Sequence, residues 1–421
     1  MNTSSDQSVA HSLRVGEALF ALGLALPLFA GGNTLAALEP KTAIKVFAAV
    51  TILVCWQILR STEANKTPVP RPILIANACL VVLASWWIAN LVARPSGPRA
   101  FLEAQGTLCA ILLFATLSQR RLEPYATARF VRGLLLGTMG SVAFGQYQYW
   151  VAFPRTIPLA HAAGIPAFGL VNANFYSANC YAIFLAGIIL VVIGLAISNR
   201  NAWAWMAVPL LVVTIVLTGS RAAIALLAIG GVGLGAITGW WPNVAPKGVT
   251  TLLFWVLLPA AAGAAAASVD LGELWHVATV GRIAIWRGSL NIVRQHWLAG
   301  VGLGRFGEAF SQFRVNDYHT LYPHCFLLEV AAELGVIGLF ALIAFVVAAF
   351  MGPIDRLFAA ARSPYGCIDA LPVAMCAASA VLLVHGLGDI DWHAPANPIL
   401  LFVLLGALQR LPMLAGESRG R

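Results

Sequence analysis

Apolar runs close to the roughly twenty residues that a helix needs to cross a bilayer recur along the whole 421-residue chain. They fall at approximately 13–31, 42–59, 73–93, 101–118, 130–150, 173–197, 203–219, 221–239, 249–267, 324–350, 369–388 and 398–411. Backbone amides find no water in hydrocarbon, so lipid-spanning runs of this length settle as helices. Composition agrees: 60% of the residues are hydrophobic and only 10% are charged, where a soluble domain carries about 25% charged residues. The expectation is an all-α polytopic membrane protein of about twelve transmembrane helices. Spans 1–267, a long loop 268–323 and closing spans with a tail at 324–421 form one integral membrane domain. The polar start MNTSSDQSVAHSLR leads into a first run with no clear cleavage site, so that run reads as a retained helix.

Net charge is +9, but the basic residues are spread among membrane loops rather than gathered into a nucleic-acid footprint. Short-loop Lys and Arg set orientation. Arg60, Lys66, Arg71, Arg120, Arg121, Arg129, Arg200, Lys247, Arg356, Arg362 and Arg410 share one side, which should be cytoplasmic and hold both termini. The opposite side has fewer, among them Arg94 and Arg155. Loop 268–323 lies on that outer side and carries Arg282, Arg287, Arg294, Arg305 and Arg314; long loops escape the rule. Within GRIAIWRGSLNIVR, Ile283, Trp286, Leu290 and Val293 form one helical stripe flanked by arginines. That pattern predicts an amphipathic helix in the interface plane, its guanidiniums at the level of lipid phosphate. Guanidinium pairs with phosphate in bidentate geometry, so an anionic ligand is expected there.

Seven cysteines with no CxxC spacing suggest neither a disulfide framework nor a zinc site. HxH and HExxH are absent as well. GLGRFG, Gly302 to Gly307, spells GxGxxG, but no strand precedes it, so it reads as a tight turn with close backbone packing.

Polar residues intrude on the apolar spans at five places, all on the outer side. His324 follows Pro323 where the loop enters the tenth span, near a helix N-terminus, whose positive end disfavours protonation. A neutral imidazole there suits a general base, with a plain helix cap as the alternative. Glu329 and Glu333 lie one turn apart deeper in the span, on a face about 140–180° from His324, and call for buried partners. Arginines from other spans are the expected ones. Arg221 in LTGSR sits in a hinge too short to be solvated, where an anionic ligand would balance it. Asn172 and Asn174 open the sixth span, and Asp389 and Asp391 close the eleventh. Asp389 either orients an acceptor or pairs with an arginine such as Arg282.

The series TGSR (Thr218–Arg221), RIAIW (Arg282–Trp286), HWLAGVGLGRF (His296–Phe306) and YPHCFLLEVAAELGVIGL (Tyr322–Leu339) resembles the O-antigen ligase and polymerase superfamily, most of all its O-antigen ligases. The likeness is densest over 200–350; Cys325 departs from the asparagine common after the family's histidine. The resemblance implies a multi-span glycosyltransferase of the bacterial inner membrane that uses no metal or other cofactor. It would move a polysaccharide from undecaprenyl diphosphate to a sugar hydroxyl of lipid A-core at the periplasmic face. It also implies His324 as the essential base and Arg221 and Arg282 as diphosphate ligands; Arg287, from the arginine flank of the loop helix, is a further candidate for the diphosphate. Asp389, Asn174, Tyr322 and Glu333 are candidates to contact the acceptor or to brace the site. The rival readings are an O-antigen polymerase, a protein O-oligosaccharyltransferase, and a transporter of lipid-linked sugars. The partners expected are the lipid-linked donor, the lipid A-core acceptor and membrane lipids, with no nucleic acid.

Overall fold

The computed structural model describes residues 69–94, 98–119, 124–163, 169–175, 177–199, 202–239, 271–314, 319–363 and 367–414. The runs expected at 13–31, 42–59 and 249–267 lie outside them. The described residues are mostly helical and contain no strand, only an isolated bridge between Ile368 and Leu414. Four helices are long and apolar enough to cross a membrane: α1 (Arg71–Ala93), α5 (Ala178–Asn199), α7 (Arg221–Thr238) and α10 (Phe326–Ala361). Between them come α2 (Pro98–Ser118), α3 (Pro124–Tyr147), a π-helical turn (Gln148–Ala152), α4 (Phe153–Ala162), α6 (Ala202–Leu217), α8 (Leu271–Gln295) and α9 (Phe306–Phe313). After α10 follow α11 (Ala370–Gly386), a 3-10 turn (Asp391–His393) and α12 (Ala396–Leu408).

α5 is apolar on every side, and such a helix belongs in an interior. Of its most apolar window 94% is buried, against 28% for α1, so α5 is the axis of the bundle. α11 runs antiparallel to it. Asn179 in the first turn of α5 reaches Asp389 beyond the end of α11, while Ser198 at its other end bonds Asp369, the N-cap of α11. Phe114, Phe345 and Phe402 lock α2, α10 and α12 together, with ring centroids 4.9–6.5 Å apart.

The bundle has two polar ends. At one, Arg282 meets Asp389 and Arg94 donates to the Gly300 carbonyl. At the other, Arg356 and Arg410 donate to the Leu408 and Ser118 carbonyls.

α8 and α9 occupy the region read as a loop. The protein-facing side of α8 is Ala284, Ile285, Ser289 and Ile292, and Ile285 and Ile292 pack with Phe306, Phe310 and Ala332. The expected stripe is therefore split: Trp286 and Val293 pack at the margin of that cluster, and Ile283 and Leu290 stay exposed.

The uninterrupted run 324–350 hides a break. Inside α10, Gly335 has φ 67° and ψ −167°, outside helical space. Segment 297–302 docks on the break: Val336 N–H donates to the Trp297 carbonyl at 2.8 Å, and the Val301 and Gly302 amides donate to the Ala332 and Glu333 carbonyls at 2.9 and 3.0 Å. The Trp86 indole takes the Leu334 carbonyl at 2.8 Å. Four backbone groups that a break leaves without helical partners are thus bonded again, as an apolar surrounding demands.

Both touching points are glycines because no Cβ fits. One at Gly335 would come within 2.2 Å of the Leu298 oxygen, and one at Gly300 within 2.2 Å of Glu333 backbone. Gly335→Ala and Gly300→Ala are each expected to cost about 3 kcal/mol or more, read as lower thermal unfolding temperature and lower yield of monodisperse protein. A Cβ at Gly233 meets nothing within 4 Å, so Gly233→Ala is expected to stay within about 1 kcal/mol of the parent.

Candidate functional site

Asp389 is the meeting point of the described polar end. It sits in the short connection between α11 and the 3-10 turn and is only 7% exposed. Its Oδ2 accepts from the Asn179 amide at 2.7 Å and faces Arg282 Nη2 at 3.4 Å. Its Oδ1 accepts the Ile390 N–H at 2.8 Å and lies 3.8 Å from His324 Nδ1. Burial alone would raise the carboxyl pKa. Contact with His324, the Ile390 N–H and the nearby His385 and Arg282 charges outweigh it, holding the group at about 2 against an ordinary 3.8. Asp389 thus carries a full negative charge at neutral pH, next to an imidazole.

His324 is not a helix cap. The N-cap of α10 is Cys325, which makes no side-chain cap bond, and His324 precedes it with φ 53°. A left-handed conformation is costly for a residue with a side chain and persists where the surroundings impose it. Pro323 helps to fix the approach, its carbonyl accepting from the Trp286 indole of α8 at 3.1 Å. The Nδ1 atom is buried with no hydrogen-bond partner, although the side chain as a whole is 30% exposed. One edge of the ring therefore faces Asp389 while part of it remains accessible.

The partners described for the glutamates are backbone amides and a histidine, where arginines were expected. Glu333 accepts the Gly304 N–H at 2.8 Å and the Phe306 N–H at 3.0 Å, which anchors the GLGRFG turn and satisfies the first amide of α9. Glu329 pairs with His393 Nε2 at 2.8 Å, and the His393 ring lies 3.5 Å from the Tyr322 ring. The physical reason is distance along the chain: the break at Gly335 brings loop amides to one carboxylate, and the 3-10 turn brings an imidazole to the other. A third buried pair, His385 and Asp391 at 2.7 Å, lies beneath Asp389 in the chain's return to α12.

Of the residues singled out in the sequence, the structure brings together His324, Asp389 and Arg282, with Tyr322 and Glu329 in the adjoining layer. Arg287 is exposed on α8, and no contact joins it to the cluster. Arg221 begins α7 half-buried, also without a contact to Asp389. Asn174 is buried on the segment leading to α5. Asn179 and Gln148 went unnoticed. Each is a polar residue at the edge of an apolar run, the same signal that marked Asn174. Among the described residues no trio of His, Cys, Asp or Glu side chains is arranged to hold a metal ion.

Asp389→Ala would leave the Asn179 amide and Arg282 without their acceptor, at an expected cost of about 1–3 kcal/mol in thermal unfolding. A carboxyl depressed to about 2 in the folded chain gives stability that is complete above its ordinary value and lost only as pH falls toward 2. The carboxyl's own titration should therefore leave the gap between parent and variant unchanged from pH 5 to pH 8.

A search of the curated proteins returned no match. Residues 205–343 match the family model described as O-Antigen ligase. That segment runs from α6 into α10 and bears Arg221, Arg282 and His324, but it stops short of Asp389. The match covers about a third of the chain and supports kinship of that segment with the O-antigen ligase and polymerase superfamily.

Proposed function

We propose that the chain is an O-antigen ligase that transfers a polysaccharide from undecaprenyl diphosphate to a sugar hydroxyl of lipid A-core. The reaction takes place on the periplasmic face of the inner membrane, with both termini in the cytoplasm. The observation that carries this reading is the convergence of His324, Asp389 and Arg282, from three separate parts of the chain, at one end of an apolar bundle. It is joined by the family match over the segment that holds two of them.

The acceptor hydroxyl gives its proton to His324 as its oxygen attacks the anomeric carbon of the donor. The bond from that carbon to the diphosphate oxygen breaks, and its electron pair leaves with the diphosphate. Asp389, on the Nδ1 side, orients the ring and balances its charge once it is protonated, the role a buried aspartate plays beside other histidine bases. The 3.8 Å separation is looser than a hydrogen bond and would tighten in the loaded complex. Arg221 and Arg282, with Arg287 toward the surface, stabilise charge growing on the leaving diphosphate; one such donor is typically worth about 10²–10³ in rate. A single displacement of this kind inverts the anomeric centre.

An O-antigen polymerase would run the same chemistry with a second lipid-linked glycan as acceptor, and the family match covers both. The transporter reading has less support. Transporters line their midplane sites with broken helices, whereas the break at Gly335 is filled by Val301, Gly302 and Trp86.

The lipopolysaccharide of a strain lacking this chain separates the remaining two. Long polymer accumulating on its lipid carrier above bare core is the expected result. Core bearing a single repeat unit would instead identify a polymerase. In the complemented strain, His324→Ala is expected to reduce transfer about 10²–10⁴-fold with the protein still present in the membrane.

A further inference from the structure

The segment 169–175 links the two halves of the proposed site. At its start, Val171 N–H donates to the Leu217 carbonyl at 3.1 Å, and Leu170 packs where a Cβ on Gly219 would come within 2.8 Å. It thus lies against the α6–α7 turn that carries Ser220 and Arg221. Beyond its end α5 begins, and Asn179 reaches Asp389. Asn174 lies in the chain between these two anchor points.

This segment is held in a costly shape. Ala173 has φ 47°, left-handed although it carries a side chain. Gln148 clamps both of its backbone groups: Oε1 accepts the Ala173 N–H at 2.7 Å, and Nε2 donates to the Ala173 carbonyl at 3.0 Å and to Asn172 Oδ1 at 3.1 Å. Gln148 opens the π-helical turn, a feature that recurs at functional sites. Strain held this firmly points to a task at the next residue.

Asn174 is 8% exposed, and neither its amide nitrogen nor its amide oxygen has a partner. Ser220 is 4% exposed; it is the N-cap residue of α7, yet its hydroxyl caps nothing and is equally unpartnered. Buried polar side chains nearly always find partners, so an orphan hydroxyl at the N-cap of α7 and an orphan carboxamide on the segment that packs against that turn call for a ligand. Free amides at the start of α7, with Arg221, suit phosphate oxygens. A carboxamide is different: it offers a donor and an acceptor side by side, and a fully ionised phosphate could use only the donor. Adjacent hydroxyls, or an acetamido group, on a sugar ring use both.

We propose that Asn174, assisted by Ser220, forms the subsite for the sugar attached directly to the diphosphate and selects among donors by the substituent next to the anomeric carbon. This rests on the transfer reaction proposed above. Both amide atoms are sealed from water, so the sugar enters as segment 169–175 shifts, and its hydroxyls complete the bonds that Asn174 lacks.

The test uses the full chain in lipid nanodiscs with synthetic undecaprenyl diphosphate-linked glycans whose first sugar carries either a 2-acetamido or a 2-hydroxyl group. Lipid A-core is the acceptor. The parent is expected to separate the two donors in kcat/KM. Asn174→Ala should raise the donor KM about tenfold or more and flatten that preference, with the acceptor KM unchanged. Asn174→Asp, which keeps the shape but loses the N–H donor, should alter the preference too, and Ser220→Ala should raise the donor KM severalfold. An unchanged donor KM, a rise in acceptor KM alone, or a loss of kcat with donor preference intact would each overturn the subsite. If the parent transfers nothing, the transfer reading fails by itself. Retention of the same labelled donors by parent and Asn174→Ala nanodiscs then decides the subsite: weaker retention in the variant supports it, equal retention overturns it.

Discussion

A buried carboxylate has to be surrounded by positive charge and hydrogen-bond donors, and Asp389 meets that demand from four directions. The Asn179 amide comes from the central helix α5, Arg282 from α8, His324 from the approach to α10, and the Ile390 N–H from its own connection. These elements are far apart in sequence, and the need to compensate one charge in an apolar setting draws them together. Removing a partner from such a group is costly in a way that removing an exposed ion pair is not. The position of the imidazole therefore depends on the aspartate's full complement of contacts.

The break at Gly335 plays a parallel role for the backbone. It frees carbonyls and an amide that cannot stay unpaired, and segment 297–302 and Trp86 supply the partners. Glu333 then ties the following turn, through the Gly304 and Phe306 amides, to the same helix. α8 and α9 are thereby fastened to α10 a few residues from His324. The rigidity of the site comes from hydrogen bonds made at the one point where its longest helix is not a helix.

Much of this was legible in the sequence, because the hydrocarbon solvent imposes long apolar runs and makes each polar intrusion expensive. α1, α5, α7 and α10 stand where their runs placed them; His324 and Asp389 were singled out by asking which polar residues an apolar span should not contain, and Arg282 by its place on an amphipathic stretch of the long loop. What stayed hidden were pairings made by tertiary contact. Nothing in ELGVIG distinguishes a glycine inside a helix from one that breaks it; the docking of 297–302 decides, and that is long-range. Glu329 gave no hint of His393, since the two meet only because the 3-10 turn folds back over α10. Gln148 drew no notice in the sequence, because its work is to hold Ala173 across a gap in the chain. α8 showed its amphipathic character in sequence, but its buried side is set one position away from the aromatic stripe by the fit to Phe306 and Phe310.

The most direct measurement is the rate of glycan transfer by purified parent, His324→Ala, Asp389→Asn and the double variant. If Asp389 acts by orienting and balancing His324, the two losses overlap, as they do for groups that work as a unit. The double variant should then be no slower than His324→Ala alone. Losses that multiply would show that the two residues serve separate steps, and the pair at 3.8 Å would not be the catalytic base and its support.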